Sequence, residues 1–269
     1  MSKSTAIAWT QHTWNPWLGC QKVSDGCKFC YAARDFDRYA LGQFREVHKS
    51  KTRFRQPLTW PEPGLVFTCS WSDWFIEQAD EWRDEAWDII KRTPHLTFQI
   101  LTKRPERIAG CLPDDWGIDG YPNVWLGVSV ENQATANERI PLLVKVPARV
   151  RFLSVEPLLE RINLLPVFGQ ITPKCIDWII VGGESGNSTG KHLYRECRLE
   201  WICKVGLDAM NTGAALFVKQ MGSHIAKEMH FRRDPHGKDF EQFPPELQVR
   251  QYPDYDKRTT IKSTTIEGV

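Results

Sequence analysis

The 269-residue sequence has no apolar run approaching the roughly 18 residues that a membrane-spanning helix needs. Its opening stretch, MSKSTAIAWTQ, has one lysine and no apolar core, so it does not read as a secretory signal. These two absences make the cytoplasm the expected compartment and leave the membrane out of the expected partners. A charge excess is missing too: 35 Lys and Arg stand against 33 Asp and Glu, a net charge of +2. Total charge therefore does not by itself call for nucleic acid. A cytosolic chain long enough for one large domain does not need disulfides, so the eight cysteines require another account.

Four of them, Cys111, Cys175, Cys197 and Cys203, are scattered singly and read as ordinary small core or surface residues. Three others are packed into GCQKVSDGCKFCYA, with the spacing C-x6-C-x2-C over Cys20, Cys27 and Cys30. A fourth cysteine is absent from this group. Four thiols would suggest a closed zinc site and two a redox pair; three leave a metal centre with one position open. Zinc remains a competitor, with His12, Cys69 or a distant residue as its fourth ligand. The third cysteine and the aromatic Phe29 favour an iron–sulfur cluster.

Short, β-branched apolar runs alternate with amphipathic stretches along the chain. Strands are expected within 7–14 and over 64–69, 96–102, 123–130, 150–157, 176–183 and 215–222; helices over 79–93, 135–146 and 198–211. Seven strands with helical crossovers predict an α/β fold: a parallel β/α barrel of TIM type, partial or full, over residues 1–222. Nearly continuous apolar strands fit a sheet buried on both faces. Residues 223–269 lose periodicity and gain prolines, which predicts an irregular extension with a loose tail beyond about Asp254.

Polar residues recur at the carboxyl ends of the expected strands, the rim where β/α barrels assemble their sites. Ser72 and Ser129 read equally well as helix caps. Lys103, Glu131, Glu156 and Lys219 do not, and are the candidates for substrate orientation or proton transfer. Their alternative role is a structural ring of ion pairs. Two further features bear on a substrate. Trp9, Trp14, Trp17, Trp71 and Trp74 are either core or a stacking surface for a base. The segment 45–57 carries Arg45, Lys49, Lys51, Arg53 and Arg55, either a solvated loop or a phosphate-binding patch at the barrel mouth.

Taken in order, TWNPWLGCQKVSDGCKFCYA, FTCSWSDWF, LTKRP, WLGVSVEN, FLSVEPLL, WIIVGGESG and FVKQMG resemble the phage Gp37/Gp68-like family. This is a three-Cys-motif, DUF5131-type group placed near the radical S-adenosylmethionine (radical SAM) enzymes. The resemblance runs from about residue 7 to 222. It implies a barrel of the radical SAM kind with a [4Fe-4S] cluster on Cys20, Cys27 and Cys30. It also implies S-adenosylmethionine as the second cofactor, reductive cleavage to a 5′-deoxyadenosyl radical, and an electron donor of flavodoxin or ferredoxin type.

Two departures from the radical SAM pattern matter. The first cysteine gap is six rather than three, and Gly182-Gly183-Glu184 follows the sixth strand rather than the second. On this resemblance the second-strand segment, with Cys69, Ser70 and Asp73, approaches the methionyl group. Gly182 and Gly183 admit the nucleoside, Glu184 faces substrate or a ribose hydroxyl, and Phe29, Ser129 and Ser185 complete the cofactor site. The expected substrate is a nucleic acid or a nucleotide derivative. The alternatives are a peptide or small metabolite, or a zinc-stabilised nucleic-acid-binding protein without catalysis.

Overall fold

The computed structural model describes residues 5–169 and 175–254. The chain opens with β1 (His12–Trp14), β2 (Trp17–Leu18), α1 (Tyr31–Tyr39) and β3 (His48–Lys49). It then alternates through β4 (Gly64–Thr68), α2 (Asp80–Arg92), β5 (Leu96–Thr102), β6 (Val124–Ser129), α3 (Gln133–Val144) and β7 (Val150–Val155). It closes with α4 (Leu165–Gly169), β8 (Trp178–Gly182), α5 (Leu199–Thr212), β9 (Ala215–Gln220) and α6 (Gly222–Glu228). Among the described residues no helix is long and apolar enough to cross a membrane.

Seven strands form one sheet in the order β1-β4-β5-β6-β7-β8-β9, every neighbouring pair parallel. β2 and β3 form a separate antiparallel pair. Because sheet order follows chain order, same-handed crossovers put the helices on one face, and the sheet covers its other face by curling. The result is an open half-barrel: among the described residues β1 and β9 lie at the two ends and do not pair. The expected partial barrel is therefore the form adopted, and β5 covers the expected 96–102 without a shift. β1 keeps only the last three residues of its expected stretch.

Alternation of side chains across the sheet creates two cores. Val66, Leu126, Leu153, Ile179 and Val218 join the large helix-side core. Phe67, Trp125, Phe152, Trp178 and Phe217 face inward with Trp9 and form a smaller aromatic core. Trp178 is central there, edge-on to Trp9, Trp125 and Phe217 at ring separations of 5.8–6.0 Å.

Local signals explain the helices. α2 begins with Asp80 and Glu81 and ends with Lys91 and Arg92, which complements the helix dipole. The Asn132 side chain caps α3 by accepting from the Thr135 amide at 2.8 Å, within a capping box. Ser129 and Ser72, expected as possible caps, do not serve that role: α2 starts after Ala79 and α3 after Asn132.

The expected irregular extension begins instead with a helix, α6, because Gly222–Glu228 turns straight out of β9; only after it does the chain run irregularly back along β9. The Val218 amide donates to the Val249 carbonyl at 2.9 Å, and Phe217 bridges Arg250 in antiparallel sense. This covers an edge that would otherwise expose unpaired backbone groups. The expected loose tail beyond Asp254 lies outside the described residues.

Candidate functional site

At the carboxyl ends of the strands the inner face turns polar. Ser129 and Ser154 lie opposite each other in register on β6 and β7, and Lys219 faces the same side near the end of β9. They line a cavity of about 730 Å³ bounded below by Trp9, Phe67 and Leu101. A concave, partly apolar cavity with a few convergent polar groups is the ordinary form of a small-molecule site.

All three clustered cysteines line this cavity. Cys20, Cys27 and Cys30 are half-buried, and all eight cysteines are free thiols. Cys20 follows β2, and its amide donates to the Phe44 carbonyl at 2.7 Å. Cys27 ends a short 3-10 turn, and Cys30 immediately precedes α1. The loop between Cys20 and Cys27 is pinned to the rim twice. Ser24 donates to Glu131 at 2.9 Å, and a Cβ on Gly26 would lie 2.5 Å from the Glu131 side chain, so only glycine fits. The second anchor is Arg195, which clamps Glu184 at 2.6 and 2.9 Å and donates to the Asp25 carbonyl at 2.8 Å. Its guanidinium also lies 5.4 Å from the Phe29 ring centre.

The end of β5 supplies a cationic wall. Arg104 pairs with Asp73 at 3.2 Å, reaches the Cys20 sulfur at 3.9 Å and donates to the Gln21 carbonyl at 2.9 Å. Lys103 lies 3.4 Å from Glu131. Burial would lower the Lys103 ammonium, but Glu131 and the Cys27 and Cys30 thiols outweigh it and hold it above its ordinary value. Burial pushes the Cys20 thiol up to about 12, with Asp73 adding to the rise and Arg104 opposing it.

Among the described residues no three His, Cys, Asp or Glu side chains converge on one point that would hold a single ion. The three thiols instead share a cavity wall with two adjacent cations. Each cysteine of a cubane binds a separate iron, so its sulfurs stand farther apart than ligands of one ion. Thiolates are the ligands iron–sulfur clusters take, so the chemistry of these three donors is compatible with one. His12, one considered fourth ligand for zinc, stacks on Trp60 with ring centres 4.5 Å apart and does not line the cavity.

The other expected site residues divide. Ser129, Ser185, Glu156 and Lys219 face the cavity, and Lys219 holds both Glu156 oxygens at 2.7 Å. Glu131 is fully buried and pairs with Arg139 at 3.1 Å; it is a strut beneath the cysteine loop. Asp73 also serves as a strut, already accepting from Thr102 (2.7 Å) and from the Lys103 and Phe75 amides (2.9 and 3.0 Å). Ser70 lines the wall but exchanges hydrogen bonds with Asn15 at 3.0 and 3.3 Å. Cys69, the other considered fourth zinc ligand, takes a positive φ of 60° at the turn out of β4; it borders the cavity but is buried and packs into the helix-side core. Gly182 and Gly183 serve close packing within the sheet: a Cβ on Gly183 would meet the Met221 carbonyl oxygen at 2.3 Å. Glu184 lines the cavity, committed to Arg195.

The tryptophans and the basic segment divide as well. Trp14, Trp17 and Trp74 are fully buried core residues, and Trp9 fills the inner core. Trp71 is half-buried in the cavity wall, with Arg53 5.2 Å from its ring centre. Lys49 and Arg55 both turn to Glu85 on α2, so of the five basic residues in 45–57 it is Arg53 that lines the cavity. Four more residues of the site were not singled out from the sequence. All four stand in no motif: Arg139 and Arg195 pair with Glu131 and Glu184, eight and eleven positions away, and Arg34 and Lys238 reach the cavity from α1 and the C-terminal extension. For Ser154 a signal existed, the two-residue alternation that puts it on the face of Phe152.

A family model described as a protein of unknown function (DUF5131) matches residues 4–247. No curated protein and no solved structure matches the chain.

Proposed function

We propose that this chain, which belongs to the DUF5131 family, is a radical SAM enzyme with a [4Fe-4S] cluster on Cys20, Cys27 and Cys30, acting on an anionic substrate of nucleotide or nucleic-acid type. One observation carries the reading: three thiols, a cationic wall and the polar ends of the six strands β4 to β9 open into a single cavity. When bound, the cluster and S-adenosylmethionine supply one-electron reductive cleavage and a radical able to take hydrogen from substrate, while the protein supplies orientation and exclusion of water.

The residues share this work. Lys103 and Arg104 offset the negative charge of three thiolates. Glu131 and the Glu184–Arg195 pair fix the loop that carries the thiols. Ser129, Ser154 and Ser185 offer hydroxyls to a polar ligand in the cavity, and the Lys219–Glu156 pair offers a charge-assisted contact to it. Seven basic side chains line the cavity against four carboxylates, whereas the whole chain carries only +2. That concentration of charge, with the half-buried Trp71 in the cavity wall, supports an anionic, ring-bearing substrate. An electron donor of flavodoxin or ferredoxin type is the partner this chemistry requires.

The test is turnover of the cofactor. Anaerobically reconstituted, chemically reduced protein should convert S-adenosylmethionine to 5′-deoxyadenosine and methionine. A colourless protein with one tightly held zinc and no 5′-deoxyadenosine would replace this reading with a zinc-stabilised binding protein.

A further inference from the structure

The cations of the cavity are unevenly satisfied. Lys103, Arg104 and Lys219 each pair with a carboxylate. Among the described residues Arg34 and Lys238 have no carboxylate partner, yet they line the same cavity as Lys219. Three separate parts of the chain supply this group: α1 carries Arg34, β9 carries Lys219, and the extension after α6 carries Lys238. Lys238 stands on a fixed loop. The Asp234 carboxylate accepts from the backbone amides of Lys238 and, at 2.7 Å, Asp239; the Gly237 carbonyl accepts from the Met221 amide at 2.7 Å. His236 braces the same loop, its Nδ1 3.1 Å from the Ser223 hydroxyl.

The Lys238 ammonium feels the other two cations. Burial, then the nearby charges of Lys219 and Arg34, hold the Lys238 ammonium below its ordinary value, with Glu156 and Asp234 in partial opposition. Like charges held together on fixed elements are relieved by a shared counter-ion. Donor capacity remains for one: Glu156 takes up two of the three Lys219 protons, and the Arg34 guanidinium makes no side-chain hydrogen bond among the described residues. Next to Arg34, Asp35 accepts from the Trp71 indole at 3.2 Å, which ties α1 to the cavity wall.

We propose that Arg34, Lys219 and Lys238 form a subsite for a phosphate group of the substrate, with the C-terminal extension completing it over the half-barrel. The inference rests on the reading of the cavity as a site for a nucleotide-type substrate, and it names where that substrate's phosphate sits. Guanidinium and ammonium donors converging on one oxyanion are the ordinary chemistry of phosphate recognition. Trp71 lines the same cavity and offers an aromatic ring to the base of the same nucleotide.

The test is equilibrium binding to the full chain, before and after iron and sulfide reconstitution. The probes are inorganic phosphate, a deoxynucleoside 5′-monophosphate, the matching nucleoside, and S-adenosylmethionine. The monophosphate should bind the wild type at least about tenfold more tightly than the nucleoside, as hydrogen bonds to a charged group imply. Lys238→Gln and Arg34→Gln should each remove most of that preference, Lys238→Arg should restore it, and iron content should be unchanged in all three. Much of the Lys238 side chain stays in contact with solvent although its ammonium is crowded by the cavity wall, and its loop is held by backbone bonds to Asp234 and Met221, so its substitution leaves the fold intact. Equal binding of nucleoside and monophosphate, or variants that bind like the wild type, would overturn the subsite. Loss of S-adenosylmethionine affinity with phosphate binding intact would overturn it too, giving the cations to the cofactor's carboxylate. A wild type that binds no iron but shows the phosphate preference would support the subsite and sink the radical SAM reading.

Discussion

The inner face of the half-barrel has two ends with opposite chemistry on the same strands. At the amino end Trp125, Phe152 and Trp178 pack into a dry aromatic core. Two residues further along β7, and four along β6, Ser154 and Ser129 line a wet cavity with the cysteine loop on its far wall. The backbone is continuous and regular across the change. Fold stability and site chemistry are thus carried by different residues of one strand, and a substitution should reveal which end it belongs to.

The largest effect is expected at the amino end. Trp178→Ala removes a fully buried indole and its hydrogen bond to the Gln251 carbonyl (2.9 Å), and should cost about 3–5 kcal/mol in denaturant unfolding. Glu131→Ala should come close to that, about 3–5 kcal/mol, because it strands the buried Arg139. It differs in also freeing Ser24, so the variant should lose iron binding in proportion beyond its loss of stability. If Trp178→Ala and Glu131→Ala impair iron binding equally once folded protein is compared, the division between the two ends fails.

At the carboxyl end, Ser129→Ala with Ser154→Ala should change stability by less than about 1 kcal/mol, since the hydroxyls face the cavity. The pair should weaken ligand binding all the same. The smallest effect concerns the basic segment. Arg53→Gln should flatten the log–log salt dependence of single-strand binding by about 0.7. Lys49→Gln and Arg55→Gln should leave it nearly unchanged, because Glu85 holds both. A uniform response of the three would return the segment to a plain basic patch.

What was legible in the sequence follows the same division. Strands buried on both faces write themselves as continuous apolar runs, so β4 to β9 stand close to where the residues place them. The three cysteines are legible because spacing is local. The struts are not. Glu131 and Asp73 look like free carboxylates until Arg139, Arg104 and the cysteine loop fold onto them. Gly182-Gly183 looks like a ligand loop, but its lack of side chains is used by Met221. Lys238 lies in a stretch without periodicity, and only the path of the extension over β9 brings it to the cavity. Pairing between distant segments leaves no periodic trace, which is why charge at the rim was visible and its partners were not.

The central claim is that the three thiols hold a cubane. Iron and acid-labile sulfide, measured after anaerobic reconstitution with the visible spectrum recorded alongside, test it most directly. The account predicts a brown protein with about four iron and four sulfide per chain, reduced to background by Cys20→Ala, Cys27→Ala or Cys30→Ala and unaffected by Cys203→Ala. A wild type that stays colourless, or a cluster that survives loss of any one of the three cysteines, would contradict it.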